Sequence, residues 1–185
     1  MKAICRILLG LLSALLIIIL ISAINHRVRL TKELTVNMVG GQLIEVNGHR
    51  LNVYSEGKGQ ETFVFLAGSG TSLPTLDFKP LWANLSKFQR IVVVERAGYG
   101  FSDVVQGLPR DLDSVLSETR LALEHSGETP PYVLVAHSMG ALEALYWANQ
   151  YPGEVKAIIG LDPAIPEVYD YMPRQPHWIL QTLSF

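Results

Sequence analysis

The amino-acid sequence predicts an α/β fold of three layers, built on a mostly parallel sheet that opens with an antiparallel hairpin. Three observations carry that prediction. Two alternating runs flank Asn47-Gly48, the strongest short hairpin signal. Apolar, β-branched runs then alternate with runs of helical spacing, the pattern of a parallel sheet covered on both faces. Ahead of both lies a stretch of eighteen residues, Ile7 to Ile24, without a single charge.

That first stretch reads as a membrane-spanning helix. At ~1.5 Å rise per residue it is about 27 Å long, close to the ~30 Å hydrocarbon core of a bilayer. A cleaved signal peptide would carry a shorter apolar stretch and small residues before its cleavage site. Here the corresponding tripeptide is Ile21-Ser22-Ala23, with a bulky first residue, so residues 1–24 are expected to remain as a single-pass anchor through residues 7–24. Lys2 and Arg6 on one side nearly balance Arg27, Arg29 and Lys32 on the other. A single N-terminal anchor followed by one domain usually leaves that domain outside the cytoplasm, and this is the expected location. Cys5, the only cysteine, precedes the apolar run, so neither a disulfide framework nor a lipoprotein attachment site is expected.

Residues 25–40 read as a juxtamembrane stalk. From Gly41 onward ten Lys and Arg face sixteen Asp and Glu, a formal balance of −6, and no basic stripe forms. Nucleic-acid binding therefore has no electrostatic support. With 49% hydrophobic residues the chain is also too apolar to be disordered.

The hairpin "QLIEV-NG-HRLNVYSEG" opens the domain, and the polar turn "GKGQE" follows. "TFVFLAG" (Thr62 to Gly68) is a short apolar strand running into a glycine-rich loop. "FKPLWANLSKF" (Phe78 to Phe88) has helical spacing. "RIVVVE" (Arg90 to Glu95) is a continuous β-branched strand, of the kind buried on both faces. "DLDSVLSETRLALEHSG" (Asp111 to Gly127) reads as an amphipathic helix with acidic residues at its start and a glycine stop. The strand "YVLVAH", the helix "MGALEALYWANQ" and the strand "VKAIIGLD" (Val155 to Asp162) complete a core over residues 41–162. Residues 163–185 hold four prolines and a loose apolar helix, and continue no obvious strand.

Ser138 stands where strand turns abruptly into helix. A serine hydroxyl is a poor nucleophile unless it is presented to a base and its oxyanion product is stabilised. A tight strand-to-helix turn lifts the hydroxyl clear of the sheet and aims the helix's first N–H groups at developing negative charge. Such a turn packs so closely that the residues two before and two after must be tiny. Ala136 and Gly140 meet that demand.

On three stretches in the expected order the chain resembles the α/β-hydrolase superfamily. "AHSMG" (Ala136 to Gly140) is similar to the nucleophile elbow, with alanine in place of the usual first glycine. "LAGSGTS" (Leu66 to Ser72) is similar to the loop after the third strand, and "ERAGYGFSD" (Glu95 to Asp103) to the arginine-and-glycine loop after the fourth. The resemblance implies an α/β-hydrolase fold with Ser138 as nucleophile and the N–H groups of Ser69 and Met139 as oxyanion donors. It gives structural roles to Gly68, Arg96, Gly98 and Gly100, and it calls for no metal and no other cofactor. His137 adjoins the nucleophile, but strand neighbours point in opposite directions, so it is expected to pack or to edge the substrate.

The family's triad runs Ser, then acid, then His. Its acid usually follows the seventh strand and its histidine the eighth, whereas the strands read here number six. A core incomplete at the C-terminus is therefore expected, and residues 163–185, His177 among them, resemble the start of the lid that many members insert there. The order Ser138, Asp162, His177 is formally available; Asp162 before Pro163 also reads as an ordinary helix N-cap. Two functions follow from the resemblance. One is a serine hydrolase cleaving an ester or amide of a small apolar substrate. The other is a catalytically silent, membrane-tethered binding protein. Epoxide and haloalkane hydrolases are disfavoured, because they usually carry aspartate where Ser138 stands.

Overall fold

The computed structural model of the chain describes residues 2–33 and 40–166. The chain divides between residues 39 and 40 into two units. The first contains one helix, α1 (Lys2–Glu33). Its segment Arg6–Arg29 is long and apolar enough to cross a membrane. The helix runs nine residues past Ile24, so much of the segment read as a stalk is helical. "NHRVRLTKE" contains neither glycine nor proline and is rich in residues that tolerate a helix, so nothing local stops it.

In the second unit β1 (Gln42–Val46) and β2 (His49–Glu56) pair antiparallel through the predicted turn. Asn47 and Gly48 there hold φ of +52° and +84°, the two positive angles that a primed two-residue turn demands. β3 (Thr62–Leu66), α2 (Pro74–Asp77), α3 (Lys79–Leu85), β4 (Arg90–Glu95), α4 (Leu112–His125), β5 (Tyr132–Ser138), α5 (Gly140–Gln150) and β6 (Val155–Pro163) follow. The six strands lie in the order β1-β2-β4-β3-β5-β6. β2 meets β4 antiparallel, while β3 is parallel to β4 and to β5, and β5 to β6.

The period of two along the strands divides the core into two clusters. Val64 and Leu66, Val92 and Val94, and Leu134 and Ala136 face α4 and α5, where Leu123, Ala144 and Trp147 complete the packing. Phe65, Ile91, Val93 and Val135 point the other way, toward Phe78 and Trp82. Both faces are thus buried, which is why these strands read as unbroken apolar runs. Beyond α3, the same second face carries Phe63, Ile159 and Leu161 around a cavity of about 440 Å³. The capping signals of α4 are used: the Asp111 carboxylate accepts from Ser114 N at 2.9 Å, and Gly127 adopts φ +83° after the last turn.

A further tie joins the hairpin to the loop after β4. Arg50 donates to Asp103 from its backbone N at 2.9 Å, its Nε at 3.1 Å and its Nη2 at 2.9 Å. Side-chain and backbone hydrogen bonds from Arg50 hold the Asp103 carboxyl below its ordinary pKa. The unfolded chain therefore takes up the proton more readily than the folded one, and stability falls as pH drops below about 4. Asp103→Asn is expected to flatten that part of the stability–pH curve, read as Tm between pH 3 and 6.

Candidate active site

The strand order places the site. β3 lies at the centre, the chain moves to β4 on one side, then crosses over to β5 and β6 on the other. Ligands in open α/β sheets bind at that reversal, beyond the carboxyl ends of the strands. The loop after β3 and the last residue of β5 meet there: a Cβ built on Gly68 would lie 2.9 Å from Ser138 Cβ and 3.1 Å from His137 Nδ1.

Ser138 ends β5 at φ +49°, a left-handed conformation that L-residues seldom adopt. Strain of this kind, of order 1–3 kcal/mol, persists only where the surroundings enforce it, and it clusters at functional positions. The surroundings here are tight. Ala136 is fully buried, and a Cβ on Gly140 would stand 2.5 Å from Leu66 O and 2.8 Å from Ala67 O. Ser138 itself is half-exposed. Met139 is the N-cap of α5, so its N–H lies at the positive end of the helix dipole. Ser69 is exposed in the loop that touches Ser138.

His137 shares the parity of Val135 and faces the second side of the sheet, its ring 6.4 Å from that of Phe78. It edges a cavity of about 340 Å³, lined also by Thr71, Asp77, Phe78, Leu81 and Leu161. Among the described residues no histidine is hydrogen-bonded to Ser138. His177, and the lid segment from residue 167 onward, lie outside the described residues.

Asp162 departs from the N-cap reading. β6 continues through Pro163, and Asp162 is an extra residue in the ladder, with His137 paired to Leu161 and Ser138 to Pro163. It holds φ +45° and is exposed. A bulge re-aims a side chain where a strand ends, and aspartate is among the few residues that tolerate this conformation. Two residues with positive φ, a serine and an aspartate, thus stand on paired strands at the same sheet end.

Arg96 donates from Nη2 to Ala67 O, and its Nε lies 3.2 Å from Glu143 Oε2 in an ion pair. Gly98 and Gly100, at φ +83° and +53°, turn the loop that begins with Arg96. Two buried carboxylates received no role from the motifs. Glu143 on α5 accepts from Thr119 Oγ1 at 2.7 Å, and Glu95 at the end of β4 is fully buried. The signal was available: an acid closing an otherwise β-branched strand needs a partner inside the fold.

The described domain is a three-layer α/β fold with a strained serine at the switch point of its sheet. A family described as the alpha/beta hydrolase fold matches residues 62–184, and the chain belongs to it. The uncharacterized protein YbdG of Bacillus subtilis (strain 168) is 45% identical over 159 residues, covering 85% of this chain and 49% of that protein. A probable lysophospholipase of Arabidopsis thaliana, BODYGUARD 1, is 32% identical over 120 residues, covering 59% of this chain and 24% of its own length. The crystal structure of Cfl2 from Burkholderia cenocepacia superposes with a TM-score of 0.66 at 28% identity, over 80% of this chain and 53% of that one. The chain spans about half the length of YbdG and of Cfl2.

Proposed function

We propose that the chain is a membrane-anchored serine hydrolase that cleaves an ester or amide of a small, apolar substrate through an acyl-enzyme on Ser138. The observation that carries this reading is the left-handed backbone at Ser138, packed between Ala136 and Gly140 on a strand-to-helix corner. In the proposed reaction Ser138 Oγ attacks the carbonyl carbon and its proton passes to a base. The N–H groups of Ser69 and Met139 hold the oxyanion, and the leaving group departs with the proton. Water then releases the acyl group by the same steps. Asp162 and His177 are the acid and base that the sequence offers in the order Ser, Asp, His. Phe78, Leu81 and Leu161 in the cavity edged by His137 favour an apolar acyl group. The relative described as a probable lysophospholipase supports a lipid-like ester among the substrates. The anchor would hold the domain at a bilayer surface, outside the cytoplasm, where such esters are found.

The test is covalent labelling of the full chain in detergent with an alkyl fluorophosphonate, together with hydrolysis of p-nitrophenyl butyrate. Both are expected to disappear in Ser138→Ala, and hydrolysis is expected to fall by several orders of magnitude in His177→Gln. Folded protein that neither labels nor hydrolyses would instead be a silent, tethered binding protein.

A further inference from the structure

The loop that carries the proposed oxyanion donor Ser69 is held at four points by one short stretch, Glu95 to Gly100, and Trp82 Nε1 donates to Thr75 O at 2.7 Å besides. At its start, Ala67 O accepts from the Arg96 guanidinium. Gly70 N donates to the Tyr99 hydroxyl at 3.3 Å, and Ser72 O accepts from Gly100 N at 2.9 Å. At its end Thr75, fully buried, donates to Glu95 Oε1 from its backbone N at 3.2 Å and from Oγ1 at 2.7 Å. The other carboxylate oxygen accepts from Phe101 N at 2.8 Å and Asn52 Nδ2 at 3.0 Å.

A carboxylate has about four acceptor sites, and all four of these are used. Among the described residues no cation pairs with Glu95. Its burial is therefore offset by hydrogen bonds alone, an arrangement that costs much if any donor moves. Gly100 shows how close the fit is: a Cβ there would stand 2.0 Å from Glu95 Oε2.

We infer that Glu95 is a positioning residue for the reaction at Ser138. Together with its neighbour Arg96 it clamps the two ends of the loop that presents the Ser69 N–H to the oxyanion. Glu95 grips Thr75, Arg96 grips Ala67, and the segment between them cannot shift relative to the serine. The inference rests on the acyl-enzyme reading above. A donor held in advance stabilises charge that exists only in the transition state, so loosening the clamp acts on kcat and leaves substrate binding alone.

Glu95→Gln replaces one acceptor oxygen by an NH2 that opposes two of the four donors. It is expected to lower kcat for p-nitrophenyl butyrate on the order of 10²-fold, with KM within about threefold. Because that variant can also fail to fold, Thr75→Val serves as the milder one. It removes a single hydroxyl at nearly constant volume, and a fall in kcat of roughly tenfold is expected, restored by Thr75→Ser. Unchanged kcat in folded Thr75→Val and Glu95→Gln, with only Tm lowered, would overturn the inference and leave Glu95 a packing residue. If the unaltered chain neither hydrolyses nor labels, the hydrolase reading fails separately. The clamp is then read from amide exchange of residues 69–72, which must accelerate in Thr75→Val while the rest of the sheet is unchanged. Equal exchange in both proteins overturns it.

Discussion

Gly140→Ala is expected to reduce fluorophosphonate labelling of Ser138 on the order of 10²-fold and to lower Tm in the same protein. The added methyl would meet Leu66 O at 2.5 Å, where ordinary contact begins near 3.4 Å, so backbone must give by about 0.9 Å. Neither neighbour can yield cheaply. Leu66 lies in the central strand β3, paired on both sides, and Ala67 leads into the loop that carries the proposed oxyanion donor. Displacements near 1 Å at a reacting centre cost about 10²-fold in rate, and overpacking costs ~1–3 kcal/mol in stability. Gly153→Ala is the control: a Cβ there meets nothing within 4 Å, and both readouts should stay at the unaltered level. Equal labelling in Gly140→Ala would mean that the corner is looser than its geometry states.

Trp147→Ala carries the largest expected loss of stability. The side chain is fully buried, stands edge-on to Tyr132 with centroids 5.6 Å apart, and donates from Nε1 to Glu154 Oε2 at 2.8 Å. Truncating a buried tryptophan costs ~3–5 kcal/mol through lost transfer energy and the cavity left behind. For a domain of this size that is a fall in Tm on the order of 10 °C. Trp147→Phe keeps most of the packing and removes the N–H, so only about 1 kcal/mol is expected. Hydrogen bonds from Arg120 and Trp147 hold the Glu154 carboxyl below its ordinary pKa, against the opposing effect of burial. The Arg120 bonds remain in either variant. Thermal melts monitored by circular dichroism check both figures.

Much of the architecture was legible because its signals are local. The Asn47-Gly48 turn, the alternation of the strands and the acidic start and glycine stop of α4 each depend on residues a few positions apart, and each appears where the pattern placed it. The corner at Ser138 was legible for the same reason: a positive φ and a crowded turn leave their mark on the two flanking small residues. The strand Val155 to Asp162 was legible as well, but its end is decided by pairing: the ladder to β5 takes in Pro163 too and makes Asp162 a bulge, where Asp-Pro also suits a helix start. α1 continues to Glu33 because nothing in "NHRVRLTKE" breaks a helix once the apolar run stops. Glu95 and Glu143 were visible as acids in apolar surroundings, but their partners Thr75, Asn52 and Thr119 come from other elements, and no spacing rule joins them.

The central claim is chemical and belongs to one atom, Ser138 Oγ. Peptide mapping by mass spectrometry after reaction of the full chain with an alkyl fluorophosphonate tests it most directly. The account predicts one phosphonyl adduct, on the peptide that contains Ser138, and none after Ser138→Ala. An adduct on Ser69 or any other residue, with the Ser138 peptide unmodified, would contradict it.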